Sequence, residues 1–169
     1  MGLVDAPLET LGAVRDMAAG LIGEGIASTE ALTSVCAHTG YGIYLAREEG
    51  LPTGVVALIM LNARGLAAVK DDSFDPLAPD LALVAGPNEA PAAVYSWGIA
   101  AATREAAKAC VQGCWEMRAE APFIPFFVRA ATEAGRRLLT EKLRFVPYPG
   151  TTTGLLWWER ADDLARRTA

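Results

Sequence analysis

The chain of 169 residues contains a single histidine, His38. That scarcity removes Ser-His-Asp and Cys-His nucleophilic chemistry almost entirely, because each needs an imidazole beside the nucleophile. Cys36 lies two residues from His38 in a segment read as helix, and positions i and i+2 of a helix do not face each other. Cysteine is equally sparse. Three residues, an odd number, give no disulfide framework. Cys110 and Cys114 fall four apart with no second ligand pair beside them, so they read as small core residues and no metal is expected. No apolar run approaches the roughly 18 residues of a membrane span. The opening Met1-Gly2-Leu3-Val4-Asp5-Ala6-Pro7 lacks the basic start of a signal peptide, which makes a reducing cytoplasm the expected setting. Positive charge is also short: 15 Lys and Arg stand against 20 Asp and Glu, a formal net charge of −5. Wrapping nucleic acid needs a basic footprint. The densest basic cluster, Arg136, Arg137, Lys142 and Arg144, is interleaved with Glu133 and Glu141.

Apolar residues are abundant, at 52% of the chain. This is ample to offset ordering entropy, and no linker or repeat divides the sequence, so residues 1–169 read as a single domain. Residues 7–24 repeat apolar positions at three and four, an amphipathic helix with Pro7 in its first turn. Residues 28–37 follow as a second helix, capped by Ser28 or Thr29 and stopped at Gly40. The period then changes. Residues 41–46 alternate, 48–52 form a turn, and 53–61 are a continuous apolar run, together a hairpin with a buried second strand. Residues 62–91 are rich in Asp, Pro and Gly and read as a long loop around one short element at 64–70. Strands are expected at 92–100, 123–129, 144–146 and 155–159, with helices at 103–117 and 132–143. Phe123, Phe126 and Phe127 read as core. Of Trp157 and Trp158, which point to opposite faces, one fills the core and the other caps a groove or a dimer contact. This alternation is that of an α/β, layered α+β, fold.

Two helices, a hairpin and then β-α-β-α-β-β is an order similar to that of the GCN5-related N-acetyltransferases (GNAT). Two local patterns carry the resemblance further. Arg104-Glu105-Ala106-Ala107-Lys108-Ala109, opening a helix after an apolar strand, is similar to the family's (Arg or Gln)-x-x-Gly-x-(Gly or Ala), with Ala107 in place of the first glycine. Leu139-Thr140-Glu141-Lys142-Leu143-Arg144-Phe145 is similar to the family's Leu-Tyr-Glu-Lys-Leu-Gly-Phe; Thr140 replaces tyrosine and Arg144 replaces glycine. The resemblance implies a mixed, mostly antiparallel central sheet with helices on both faces.

It also implies chemistry. The segment Arg104 to Ala109 would grip the pyrophosphate of acetyl-CoA, or another acyl-CoA, through unpaired N–H groups at the positive end of a helix. Trp97, Gly98 and Ile99 would line the pantetheine arm, on a strand whose backbone N–H can polarise a thioester carbonyl. Gly98 suits a bulge or a close approach of backbone. The acceptor would be an amine of a small molecule or of a protein. Deprotonating it calls for a base, for which Glu89, Asp75 and Asp80 are candidates. With threonine at position 140, the departing thiolate would take its proton from Tyr148, Tyr95 or water. Family members are often homodimers, so a dimer is possible here. Two other readings stay open: a GNAT-like protein that binds a ligand or regulates without catalysis, and an α+β interaction domain whose motifs match by chance. Glu105, which disfavours a bound pyrophosphate, supports the first of these.

Overall fold

The computed structural model describes residues 2–23 and 25–158. A short strand β1 (Leu3–Asp5) leads through a single 3-10 turn into α1 (Leu11–Ile22), and Gly23 ends the helix with φ 86°. Ser28 caps α2 (Thr29–Thr39) by accepting the Ala31 N–H at 3.1 Å, and Gly40 closes it in the left-handed region. The hairpin β2 (Ile43–Glu48) and β3 (Leu51–Leu61) turns at Glu49-Gly50. Asn62 caps α3 (Ala63–Lys70), which settles the short element of the long loop as a helix. Then come β4 (Ala93–Ala101), α4 (Arg104–Glu120), β5 (Phe126–Arg129), α5 (Glu133–Arg137), β6 (Val146–Pro147) and β7 (Leu155–Trp158). The helix of α5 continues as a π turn over Leu138–Lys142. Glu159, expected to close the last strand, lies outside the described residues.

The strands form one seven-stranded sheet in the order β1-β2-β3-β4-β5-β7-β6. Every pairing is antiparallel except β4 with β5. α4 and the π turn cover one face. Cys110, Cys114, Leu139 and Leu143 pack there on Val56, Leu58, Phe126 and Trp158. α1 and α2 cover the opposite face over Ile43, Leu45, Val55 and Ala100. α3 and the loop behind it cover that face further along, over Ile59, Tyr95 and Phe127. Layered helix–sheet–helix packing follows from β3, whose apolar residues on both faces leave neither side suited to water.

The structure departs from the sequence expectations at two points and meets them at a third. Phe123 is not core: β5 begins only at Phe126, and Phe123 stands 62% exposed in the turn before it. β1 was not foreseen. Trp157 and Trp158 do take opposite faces. Trp158 is buried, stacked on Phe145, with its indole N–H given to the Leu143 carbonyl. Trp157 packs on Tyr148 and Phe127.

Candidate active site

The site begins with an extra residue in β4. Ala57 pairs with Gly98 and Leu58 with Ser96, so Trp97 has no partner of its own on β3. Such a bulge shifts the side-chain alternation by one. Val94, Ile99 and Ala101 all face α4, while Tyr95, Trp97 and Ala100 face the opposite layer. β5 pairs with β4 only from Val94 to Ser96, opposite Phe126 to Val128. β4 runs on to Ala101, whereas β5 ends at Arg129. Two parallel neighbours therefore part company at the bulge.

A cavity of about 340 Å³ occupies the opening. Its walls come from both layers: Val14, Ala18, Leu32 and Ala100 from the α1 side, and Ile99, Val128 and Leu139 from the α4 side. It thus passes through the sheet where β4 and β5 separate. Gly98 lines it, and a Cβ placed there would meet no atom within 4 Å. The long loop closes one side through Pro76 and Leu77, held by the Trp97 indole N–H donating to the Pro76 carbonyl at 2.6 Å.

Of the residues expected at the site, Tyr95, Trp97, Gly98 and Ile99 line this cavity. Glu89, Tyr148 and Thr140 do not. Glu89 sits on an exposed turn and accepts the Gly86 N–H at 3.2 Å. The other candidate bases have the same occupation: Asp75 accepts from the Leu77 N–H at 2.8 Å, and Asp80 from Ala82 at 2.9 Å. All three carboxylates shape the loop in the manner of Asx turns and caps. Tyr148 packs edge-on between Phe127 and Trp157. The Thr140 hydroxyl donates to the Arg136 carbonyl of its own helix at 2.9 Å.

The helix-opening motif lies beyond the cavity. Ala106 and Ala109 are buried against the sheet, while Arg104, Glu105 and Lys108 are exposed and Ala107 is half-buried. Ala106 fits closely, since a Cβ on Gly54 would come within 3.2 Å of its methyl. Thr103 caps α4 by accepting the Ala106 N–H at 3.1 Å, and its own hydroxyl donates to Glu48 at the end of β2. Glu105 pairs with Lys108 at 2.7 Å. Two carboxylates, Glu48 and Glu105, therefore stand at the positive end of this helix.

Sequence reasoning missed Arg129 and Arg15, which also line the cavity. Arg129 forms an ion pair with Asp72, which in turn accepts from Thr153 at 3.2 Å. The Arg129 Nε–H is buried and has no partner. Tyr95 is 3% exposed. Burial pushes its hydroxyl above the ordinary tyrosine value, and hydrogen bonding and charge from Arg129 oppose that rise. The signal available beforehand was a charge ending the apolar run Phe126-Phe127-Val128. Among the described residues no group of three His, Cys, Asp or Glu is placed to hold a metal. No described helix is long and apolar enough to cross a membrane.

No family model and no curated protein matches the sequence. Solved structures do. The aminoglycoside acetyltransferase AAC(6')-Ib, in complex with paromomycin and acetyl-CoA, superposes with a TM-score of 0.57 at 13% identity, over 99% of this chain and 97% of that one. An N-acetyltransferase from Staphylococcus aureus Mu50 gives 0.57 at 11% identity, over 94% and 100%. GphF, a GNAT-like decarboxylase in complex with isobutyryl-CoA, gives 0.53 at 15% identity, over 83% and 72%. The chain has the GNAT fold. A transferase and a decarboxylase on one architecture mean that fold alone does not fix the reaction.

Proposed function

We propose that the protein is an acyl-CoA-dependent N-acyltransferase, moving an acyl group such as acetyl from CoA to an amine. The observation that carries this reading is the parting of β4 from β5 at the Trp97 bulge, with a cavity running through the sheet there. A pantetheine arm is a narrow, extended chain with amides, and it suits such a gap between strands. The backbone of Trp97, Gly98 and Ile99 would pair with it and polarise the thioester carbonyl. The open space over Gly98 supports the fit of this end. The nucleotide end fits less well. Arg104, Lys108 and the first-turn N–H groups of α4 favour a pyrophosphate, while Glu48 and Glu105 oppose it. Ala106 and Ala109 serve as packing rather than contact.

The amine would attack the thioester carbon and expel the thiolate. Tyr95 is the group best placed to protonate that thiolate, since it lines the cavity and its raised hydroxyl pKa keeps it protonated. A second reading, a GNAT-fold protein that binds ligand without turnover, is favoured by the two carboxylates at α4 and by the absence of Asp or Glu among the described residues of the cavity lining. Release of free CoA from acetyl-CoA in the presence of a panel of primary amines separates the two. Amine-dependent release, reduced about 100-fold or more in kcat by Tyr95→Phe, is the expected result. Acetyl-CoA binding without release under any amine would establish the second reading.

A further inference from the structure

The cavity has an unusual charge balance for a site that takes an amine. Among the described residues, the charged side chains of its lining are Arg15, paired with Asp16 at 3.2 Å, and Arg129, paired with Asp72. The remaining wall on the α1 side is apolar, formed by residues such as Val14, Ala18, Leu32, Val55 and Leu77. A polycationic acceptor is recognised by carboxylates, and none of the described lining residues carries one. A guanidinium set in an apolar wall is suited to a carboxylate, which it can hold through two parallel N–H donors. Arg129 keeps donors for this: Asp72 engages Nη2, and the side chain remains 25% exposed in the cavity lining.

We infer that the acceptor is an α-amino acid with an apolar side chain, its carboxylate held by Arg129, with Arg15 adding to the field. This rests on the acyltransferase reading above. The apolar side chain would be desolvated against the α1 wall, and the amine would face the gap between β4 and β5. The amine gives up its first proton to solvent, since no described lining residue offers a carboxylate to take it. The neutral nitrogen then forms the amide bond to the acyl carbon as the carbon–sulfur bond breaks. The nitrogen loses its second proton to solvent while the thiolate takes one from Tyr95, which regains its proton from solvent, so the products are an N-acyl amino acid, free CoA and one net proton released.

The test is the thermal unfolding midpoint of the whole chain, with and without CoA, in millimolar L-leucine or L-phenylalanine. The matched amines lacking the carboxylate, isopentylamine and phenethylamine, and the polycation spermidine serve as comparisons. The amino acids should raise the midpoint by several degrees and the amines and spermidine should not. Arg129→Gln should abolish the shift. Because that change strands Asp72, Arg15→Gln serves as a second variant and should weaken it. Equal or larger shifts with the amines, no response to any amino acid with or without CoA, or full shifts in both variants would overturn the inference. Acetyl-CoA alone is run in parallel. A shift with acetyl-CoA but not with amino acids overturns the acceptor while leaving the acyltransferase reading in place. A shift with amino acids but with no acyl-CoA supports the occupant of the chamber and overturns the transferase.

Discussion

Arg144 shows how one residue carries both a motif and a cost. It stands where the family's helix-to-strand turn has glycine, and its backbone is left-handed, with φ 59°. A side chain in that region costs about 1–2 kcal/mol, which glycine avoids. Glycine in turn loses more freedom on folding, worth about 0.4–1 kcal/mol. Arg144→Gly should therefore stabilise the protein by about 0.5–1 kcal/mol in urea unfolding; a loss of stability would mean that the arginine side chain has a role in the folded state. The cysteines make a second residue-scale case. Burial pushes Cys36 and Cys110 up to about 11 and Cys114 to about 12, from an ordinary thiol value of 9.0. The folded state holds these protons more tightly than the unfolded one. Their contribution to stability is thus complete below about pH 9 and is lost as pH rises from there toward 11 or 12. Urea midpoints should fall between pH 9 and 11, and replacing the three with alanine or valine should flatten that fall. A slope unchanged in the triple variant would contradict the assignment.

At the level of elements, α4 and its cap decide how the nucleotide end of a ligand would be received. Thr103 is committed to capping, and Glu48 reaches it from the tip of the β2–β3 hairpin. A carboxylate near a bound pyrophosphate costs on the order of 1 kcal/mol at a solvated site, or about fivefold in affinity. Glu48→Gln should tighten acetyl-CoA binding by that factor and leave acetyl-pantetheine, which lacks the pyrophosphate, unchanged. Equal effects on both ligands would place the pyrophosphate elsewhere. The elements themselves were largely readable in advance. Ser28 and Gly40 bracket α2 through local capping chemistry, and β3 announces itself by an unbroken apolar run. β1 was hidden because three residues carry no period. Phe123 misled because an apolar residue beside a strand reads as part of it, whereas Pro122 and Pro125 delay the strand to Phe126. The bulge left one local sign, Gly98, but which residue was unpaired became visible only in the register of β3 against β4.

At the scale of the whole molecule, the site is a property of the sheet rather than of a motif. The cavity exists because β4 outruns β5, and its charge comes from residues that only the fold brings into place. Arg129 meets Asp72 from 57 positions away. No local pattern joins them, and for the same reason the carboxylates Glu89, Asp75 and Asp80 looked available until the loop showed each engaged with its own backbone. The resemblance pointed to Arg104 for the nucleotide end and to Trp97, Gly98 and Ile99 for the thioester; the structure adds the gap between β4 and β5 beside those three residues.

The central claim, that an acyl-CoA threads this gap, is tested most directly by the thermal shift with acetyl-CoA in the wild type and in Gly98→Val. Gly98 has no positive φ, and a Cβ there enters open cavity. A β-branched residue suits a strand, so the variant should fold with a midpoint within a degree or two of the wild type. The account predicts a shift of several degrees in the wild type at acetyl-CoA well above its dissociation constant, and its loss in Gly98→Val. A full shift in both proteins, or none in the wild type, would contradict it.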